Sequence, residues 1–498
     1  MSVAAPVGGG AALFVPSGVH VMLANLRLGR GSPLQWGPVR EARETGSLVE
    51  VLAGSRDSPA WVTLMSAVLH NNSVAGMGGC IRVSGVGGTA IVRNSILQGC
   101  AADADGGAVA VVSGAELVVL RSLLAGNAAK GDGGAVTAGI DTAVAMLDTS
   151  LINNTAGDSG GALSAVAANL VFIARTVARG NVASESGGAM SLVRTGQPVT
   201  LGRVEVHDNC AGLYGGGLSI NTGALLEVTV TGNTAGVAVH TAEQCKVVAT
   251  AVRAQLAARF GDDDDDGGGG GGGAAATAAV LQQVPELTPT GDGGGCAIAA
   301  ATTVVNVQFS HFENNVAAYG GGISRRGLAL INATTSTIVG NIALAAGGGM
   351  YSAGPGLTLL RSAVTVANNT AGERGGGVAC DACSLTAIGD TLVTGNRVPT
   401  ATGDVGGGIA VTTPSINAPP VRLGSTTVLR DNRAPVGGAV AVTSLTGNAT
   451  RARRSRRRVG NGRWPNPAPR RGWCLSRHAI TGWATTACWC PTAPTWRG

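Results

Sequence analysis

Pairs of glycine recur along this chain in a single phase. They end at Gly79, Gly107, Gly134, Gly161, Gly188 and Gly216, and again at Gly294, Gly321, Gly348, Gly376, Gly407 and Gly438. Successive pairs stand 27 or 28 residues apart, apart from two steps of 31 near the end and one long interruption after Gly216. About seven residues ahead of the pairs an asparagine keeps the same phase, at Asn127, Asn154, Asn181, Asn209, Asn315, Asn341, Asn369 and Asn396. A fixed period of this length means stacked supersecondary units, each burying its apolar face against its neighbours.

One unit shows the layout. Gly133-Gly134-Ala135-Val136-Thr137 predicts a first short strand, Ala143 to Leu147 a second and Leu151-Ile152-Asn153 a third, with Thr155 to Ser159 as a small polar turn. Short β-branched runs without a helical period predict strands, each hydrogen-bonded to its copy about 4.8 Å away in the next coil. Twelve such coils make a rod on the order of 55 Å long. The glycines permit positive φ at a tight corner, and stacked asparagines permit an internal amide ladder. A hydroxyl column at Ser122, Thr149, Thr176, Ser310, Ser336, Thr391 and Thr427, five residues before the asparagine, reads as corner hydrogen bonding rather than as nucleophiles. Composition agrees: 80 glycines with only 3% aromatic residues suit a solenoid of small branched side chains. The fold class expected is all-β, a right-handed single-stranded parallel β-helix of about 12 coils.

The phase divides the chain. Residues 1–59 are an N-terminal cap, and because Phe14–Leu28 already reads as coil, with no signal sequence before it, the true start is expected upstream. Residues 60–233 and 293–445 are the two parts of the solenoid. Between them, residues 234–292 hold Asp262–Asp266, Gly267–Gly273 and Ala274–Ala279, a low-complexity inserted loop with a short helix expected at Thr250–Phe260. Residues 446–498 are expected to be a disordered basic tail.

Charge narrows the partners. Residues 451–498 contain eleven arginines and no acid, more than the whole net charge of +6, so residues 1–450 carry −5. Such a repeat region offers no basic face for a phosphate backbone, and nucleic acid is not expected as a partner. No run of eighteen apolar residues predicts a membrane-spanning helix.

Candidate chemistry is sparse. Asp105, Asp132, Asp158 and Glu185 lie just before glycine pairs and are expected to form an acidic column, a possible Ca²⁺ ladder with carboxyls raised by mutual repulsion, set against the plainer alternative of a solvated turn. No other cofactor is expected. His70, His207 and His311 all fall before the asparagine corner and should share one exposed face, while His20, His240 and His478 are scattered. Cys380-Asp381-Ala382-Cys383 has redox-motif spacing but lacks the βαβ setting that activates a thiolate, leaving a local disulfide or two free thiols. The ten cysteines suit an oxidising compartment. Asparagine-glycosylation acceptors begin at Asn71, Asn153, Asn332, Asn368 and Asn448.

Two motifs carry a resemblance. Gly106-Gly107-Ala108-Val109, Gly133-Gly134-Ala135-Val136, Gly160-Gly161-Ala162-Leu163 and Gly437-Gly438-Ala439-Val440, together with Phe312-Glu313-Asn314-Asn315, resemble the repeats of the polymorphic outer membrane protein family over roughly residues 60–445. That resemblance implies a β-helix displayed at a cell surface. The function expected is a non-enzymatic extracellular or cell-surface scaffold, adhesive or structural, meeting glycans or surface proteins. The alternative is a polysaccharide lyase or glycoside hydrolase of the pectin-lyase-like superfamily.

Overall fold

A computed structural model describes residues 2–4, 11, 13–29, 46–237, 241–260, 291–300, 303–399, 405–413 and 421–444. The chain winds as a parallel β-solenoid whose repeat is about 27 residues. In the coil that follows Gly134 the strands are Val136–Ala138, Ala143–Leu147, Ser150–Ile152 and Thr155–Ala156. Their copies stack into four parallel sheets, here sheets 1 to 4 in that order, of 14, 13, 14 and 10 strands. Each strand pairs with its counterpart one coil away, as Val136 does with Val109 and Leu163.

The fourth sheet corrects the expectation of three strands and a turn. Residues such as Thr155–Ala156 extend for only two positions, too briefly to show a periodic signal, yet pair with Ala128–Ala129 and Val182–Ala183.

Inward positions make one continuous core. Sheet 3 places a single residue inside per coil, including Leu97, Leu124, Leu151, Ala178, Val206, Val230, Phe312 and Ile338, all fully buried. At the corner between sheets 3 and 4 the chain takes positive φ, as at Asn153 (φ 53°), and the next residue turns inward. That residue is the ladder asparagine. Asn154 Nδ2 donates to Asn181 Oδ1 at 3.0 Å and to the Leu124 carbonyl at 3.0 Å, and Asn154 N donates to the same Oδ1 at 2.9 Å. The pattern repeats through Asn181, Asn209, Asn233, Asn315, Asn341, Asn369 and Asn396 to Asn432. Cys100 interrupts it, and its sulfur instead joins Cys80 in a disulfide. The hydroxyl column also behaves as expected: Ser122 Oγ donates to the Leu120 carbonyl at 2.8 Å and accepts from Ser95 N at 3.1 Å.

Register survives the insertion. Leu218 pairs with Cys296 and Val230 with Phe312, so the coils on either side of it stack directly. The helix within it runs Ala242–Phe260, starting earlier than the expected Thr250. A reciprocal cap sets that start: Thr241 Oγ1 accepts from Gln244 N at 3.2 Å, and Gln244 Oε1 accepts from Thr241 N at 3.1 Å. The helix lays Val248 and Val252 against Val182, Val316 and Cys210, and Cys245 is disulfide-bonded to Cys210. The acidic, glycine and alanine runs after it, Asn448, His240, His478, Cys474, Cys488, Cys490 and the Arg451–Arg458 stretch lie outside the described residues.

One core position is foreign to the pattern. Arg325 is fully buried in a column where its neighbours are Ile298 and Ser352. Its guanidinium meets only carbonyls, those of Gly327, Gly354 and Gly356, and its Nε has no partner. Burial pulls its pKa down to about 10. Replacing buried ionic groups by apolar chains of similar volume is often favourable, by about 1–4 kcal/mol. Arg325→Met is therefore expected to raise the chemical denaturation midpoint.

Candidate functional site

The acidic column separates into two. Gly106 N donates to the carbonyl of Asp132, Gly133 N to that of Ser159 and Gly160 N to that of Ser186, at 2.8–2.9 Å. The rung directly before the glycine pair therefore runs Asp105, Asp132, Ser159, Ser186. Asp158 and Glu185 belong one residue earlier, pair with each other through the Glu185 N to Asp158 O bond at 2.9 Å, and are exposed. Proximity to a glycine pair is not register, and one residue of offset moves a side chain elsewhere.

Asp105 and Asp132 cap backbone: Asp105 Oδ1 accepts from Asp132 N at 2.8 Å and Asp132 Oδ1 from Ser159 N at 2.9 Å. The four acids thus fall on two adjacent positions of the coil rather than in one column. Among the described residues no three His, Cys, Asp or Glu side chains converge as around a metal ion.

Burial, more than the charges of Asp105 and Asp158, pushes the Asp132 carboxyl above its ordinary range. A carboxyl raised on folding destabilises the fold once ionised, and that penalty fades as pH falls through its folded pKa. Asp132→Asn, which keeps the acceptor, is expected to raise the melting temperature at pH 7, with the gain vanishing in acid.

The rung before the glycines forms one wall of an external crease. In sheet 1 the residues between the core positions face away from the core, yet Ser164, Ser191, Ser324, Tyr351 and Ala379 are at most 5% exposed. The glycine corner folds the chain back over them. A β-carbon at Gly106 would lie 3.0 Å from Thr137 Cγ2, and one at Gly375 would lie 2.8 Å from Ala379 Cβ. At these first glycines φ is also positive, 70° and 63°, so both space and backbone demand glycine.

In the second half of the solenoid this crease holds a cluster that sequence reasoning missed. The rung continues as Tyr214, Asp292 and Tyr319 on successive coils, then Ala346 and Arg374. From the opposite wall Arg326 crosses to Asp292, its Nη2 donating to Oδ1 at 3.0 Å and its Nε to Oδ2. The guanidinium carbon sits 5.4 Å from the ring centres of both Tyr319 and Tyr351, whose centroids are 5.0 Å apart. Tyr351 Oη donates to Asp381 Oδ2 at 2.9 Å, and Arg374 Nη2 donates to the same oxygen. Burial raises the Asp292 carboxyl against the opposing pull of Arg326, while the Asp292 bond raises Arg326. Burial, with Asp381 beside it, raises the Tyr351 phenol. All three tyrosines of the chain thus share one crease.

Other expected sites are placed as follows. Asn71, Asn153 and Asn368 occupy the positive-φ corner beside the ladder with side chains exposed; Asn332 lies half-buried on sheet 2, donating to Asn306 Oδ1 at 3.0 Å. His70, His207 and His311 lie on the outer face of sheet 3, where His207 meets Glu205 at 3.2 Å and His311 meets Glu313 at 2.9 Å, whereas His70 is bonded to Arg27. Cys380 and Cys383 form a disulfide. Cys296 is a buried thiol whose pKa burial pushes up to about 12, far from reactive.

Fold and site together define a disulfide-pinned parallel β-solenoid with a tyrosine-lined external crease. No protein family matches the chain, and neither does any curated protein or solved structure.

Proposed function

We propose that the chain is a non-enzymatic extracellular or cell-surface β-solenoid, an adhesive or structural scaffold that holds glycans along its crease. The observation that carries this reading is the tyrosine, arginine and aspartate cluster, a polar aromatic surface fixed on rigid rungs. Aromatic residues with an apolar body and a polar tip suit a partner that is part apolar and part hydroxyl. Three disulfides among the described residues support an oxidising location. The likeness of the Gly-Gly-Ala and Phe-x-x-Asn motifs to polymorphic outer membrane protein repeats supports surface display.

The second reading, a polysaccharide lyase or hydrolase, is favoured by Asp132, a half-buried carboxyl in the same crease. It stands five rungs from Tyr319, about 24 Å at the spacing of parallel strands. A co-sedimentation assay on insoluble polysaccharides, with reducing ends and unsaturated products measured in the supernatant, separates the two. The scaffold reading expects retention without product. Product release that is lost in Asp132→Asn would establish the enzyme instead.

A further inference from the structure

Resting on the glycan-binding reading, we infer that the crease takes an uncharged glycan, seated along the rungs of Tyr214, Asp292 and Tyr319 with Tyr214 as its exposed platform. Charge decides the class. Both guanidiniums of the cluster are committed within it, Arg326 to Asp292 through two bonds and Arg374 to Asp381. A uronate or sulfate would have to displace a carboxylate from its chelate and leave Asp292, whose side chain is only 3% exposed, buried without a counter-ion. The exposed acids one residue before that rung, Glu185 and Glu373, add negative charge nearby and repel an anionic polymer further.

What the cluster leaves open is neutral hydrogen bonding. Ser324 Oγ on the crease floor, Asp381 Oδ1 and Arg374 Nε are buried and have no partner in the protein. Buried polar atoms of this kind are satisfied by water or by ligand. Sugar hydroxyls both donate and accept, and so suit either kind of group, Ser324 beside the seat and Arg374 with Asp381 two rungs beyond Tyr319. Tyr214, 41% exposed, is the most open of the three rings to the C–H side of a pyranose, and Tyr319 places a second aromatic side chain two rungs on. A rung is comparable in length with one sugar residue, so an extended chain lying along the solenoid axis keeps phase with the rungs.

Affinity electrophoresis of the full chain tests this, in native gels cast with a β-glucan, a mannan, a xylan or polygalacturonate. Retardation is expected in at least one neutral polymer and should withstand raised salt. Tyr214→Ala should weaken it about tenfold, near 1.4 kcal/mol, while Tyr214→Trp retains it. Tyr214 lies at the surface, so both variants should melt like the parent, and unchanged melting shows that the loss is one of binding. Neutral retardation undiminished in Tyr214→Ala would overturn the placement. Retardation by polygalacturonate alone, released by salt, would overturn the uncharged ligand yet leave glycan binding standing. No retardation by any polymer would overturn both.

Discussion

Asn181→Ala is expected to cost the solenoid about 3–6 kcal/mol and to split its unfolding into two stages. The amide of Asn181 is fully buried, and its Oδ1 accepts both Asn154 N and Asn154 Nδ2 while its own Nδ2 donates to the Leu151 carbonyl at 2.9 Å. Alanine leaves Asn154 N without its acceptor, takes one of the two acceptors of Asn154 Nδ2, and removes a side-chain donor from the Leu151 carbonyl. Each such loss costs about 1–3 kcal/mol. Because a repeat protein contacts only neighbouring coils, the damage falls on one interface and uncouples the coils before it from those after it. Guanidinium unfolding should show the shift, and hydrogen exchange should show lost protection centred on coils 154 to 209. Asn432→Ala, at the half-exposed last rung, should cost only about 1 kcal/mol, since water can replace what is lost there.

Gly161→Ala should be as damaging for a different reason. The second glycine of each pair has ordinary φ, so conformation alone would admit alanine. Space does not: a β-carbon there would lie 2.1 Å from the Gly188 carbonyl oxygen and 2.7 Å from backbone atoms of Val182, both in the next coil. Backbone cannot swing aside as a side chain can, so the coils must part and the sheets between them stretch. A loss of about 3 kcal/mol or more is expected, at the upper end for overpacking. Two controls separate crowding from strain. At Gly126 a β-carbon meets nothing within 4 Å but φ is +60°, so alanine should cost only the left-handed penalty of about 1–2 kcal/mol. At Gly76 nothing lies within 4 Å and φ is not positive, so alanine should be close to neutral. Thermal melting of the three variants orders them.

Much of the scaffold was legible because stacking forces chemically alike residues onto one rung. Asn154, Asn181 and Asn209 announce the amide ladder, since each needs the next one's oxygen in register. Thr149 and Thr176 announce the corner hydroxyls in the same way. The two-residue strands of sheet 4 were not legible, because two positions carry no alternation. The helix began earlier than expected because its start is fixed by Thr241 and Gln244, not by apolar spacing. The crease was hidden for a geometric reason. It forms where the chain folds back at the glycine corner, so its walls come from residues before the pair and residues three to five places after it. Tyr214, Asp292, Tyr319 and Arg374 do share the position immediately before a glycine pair, and reading that single position along the chain would have grouped them. Taking the nearest acid instead merged Asp158 and Glu185 with Asp105 and Asp132, which stand on a different rung.

Ladder, crease and cluster all depend on each coil lying in register on the next, and paired cysteines across sheet 2 probe that most directly. Ala145 and Phe172 are register partners on its outer face, and Phe172 pairs onward with Thr200. Adjacent rungs lie about 4.8 Å apart, within the 4.4–6.8 Å that a disulfide spans between α-carbons, whereas alternate rungs lie about 9.6 Å apart and outside it. Under mild oxidation the double variant Ala145→Cys with Phe172→Cys should cross-link within the monomer, and Ala145→Cys with Thr200→Cys should not. Cross-linking of the second pair in preference to the first, or of neither, would contradict the stacked register.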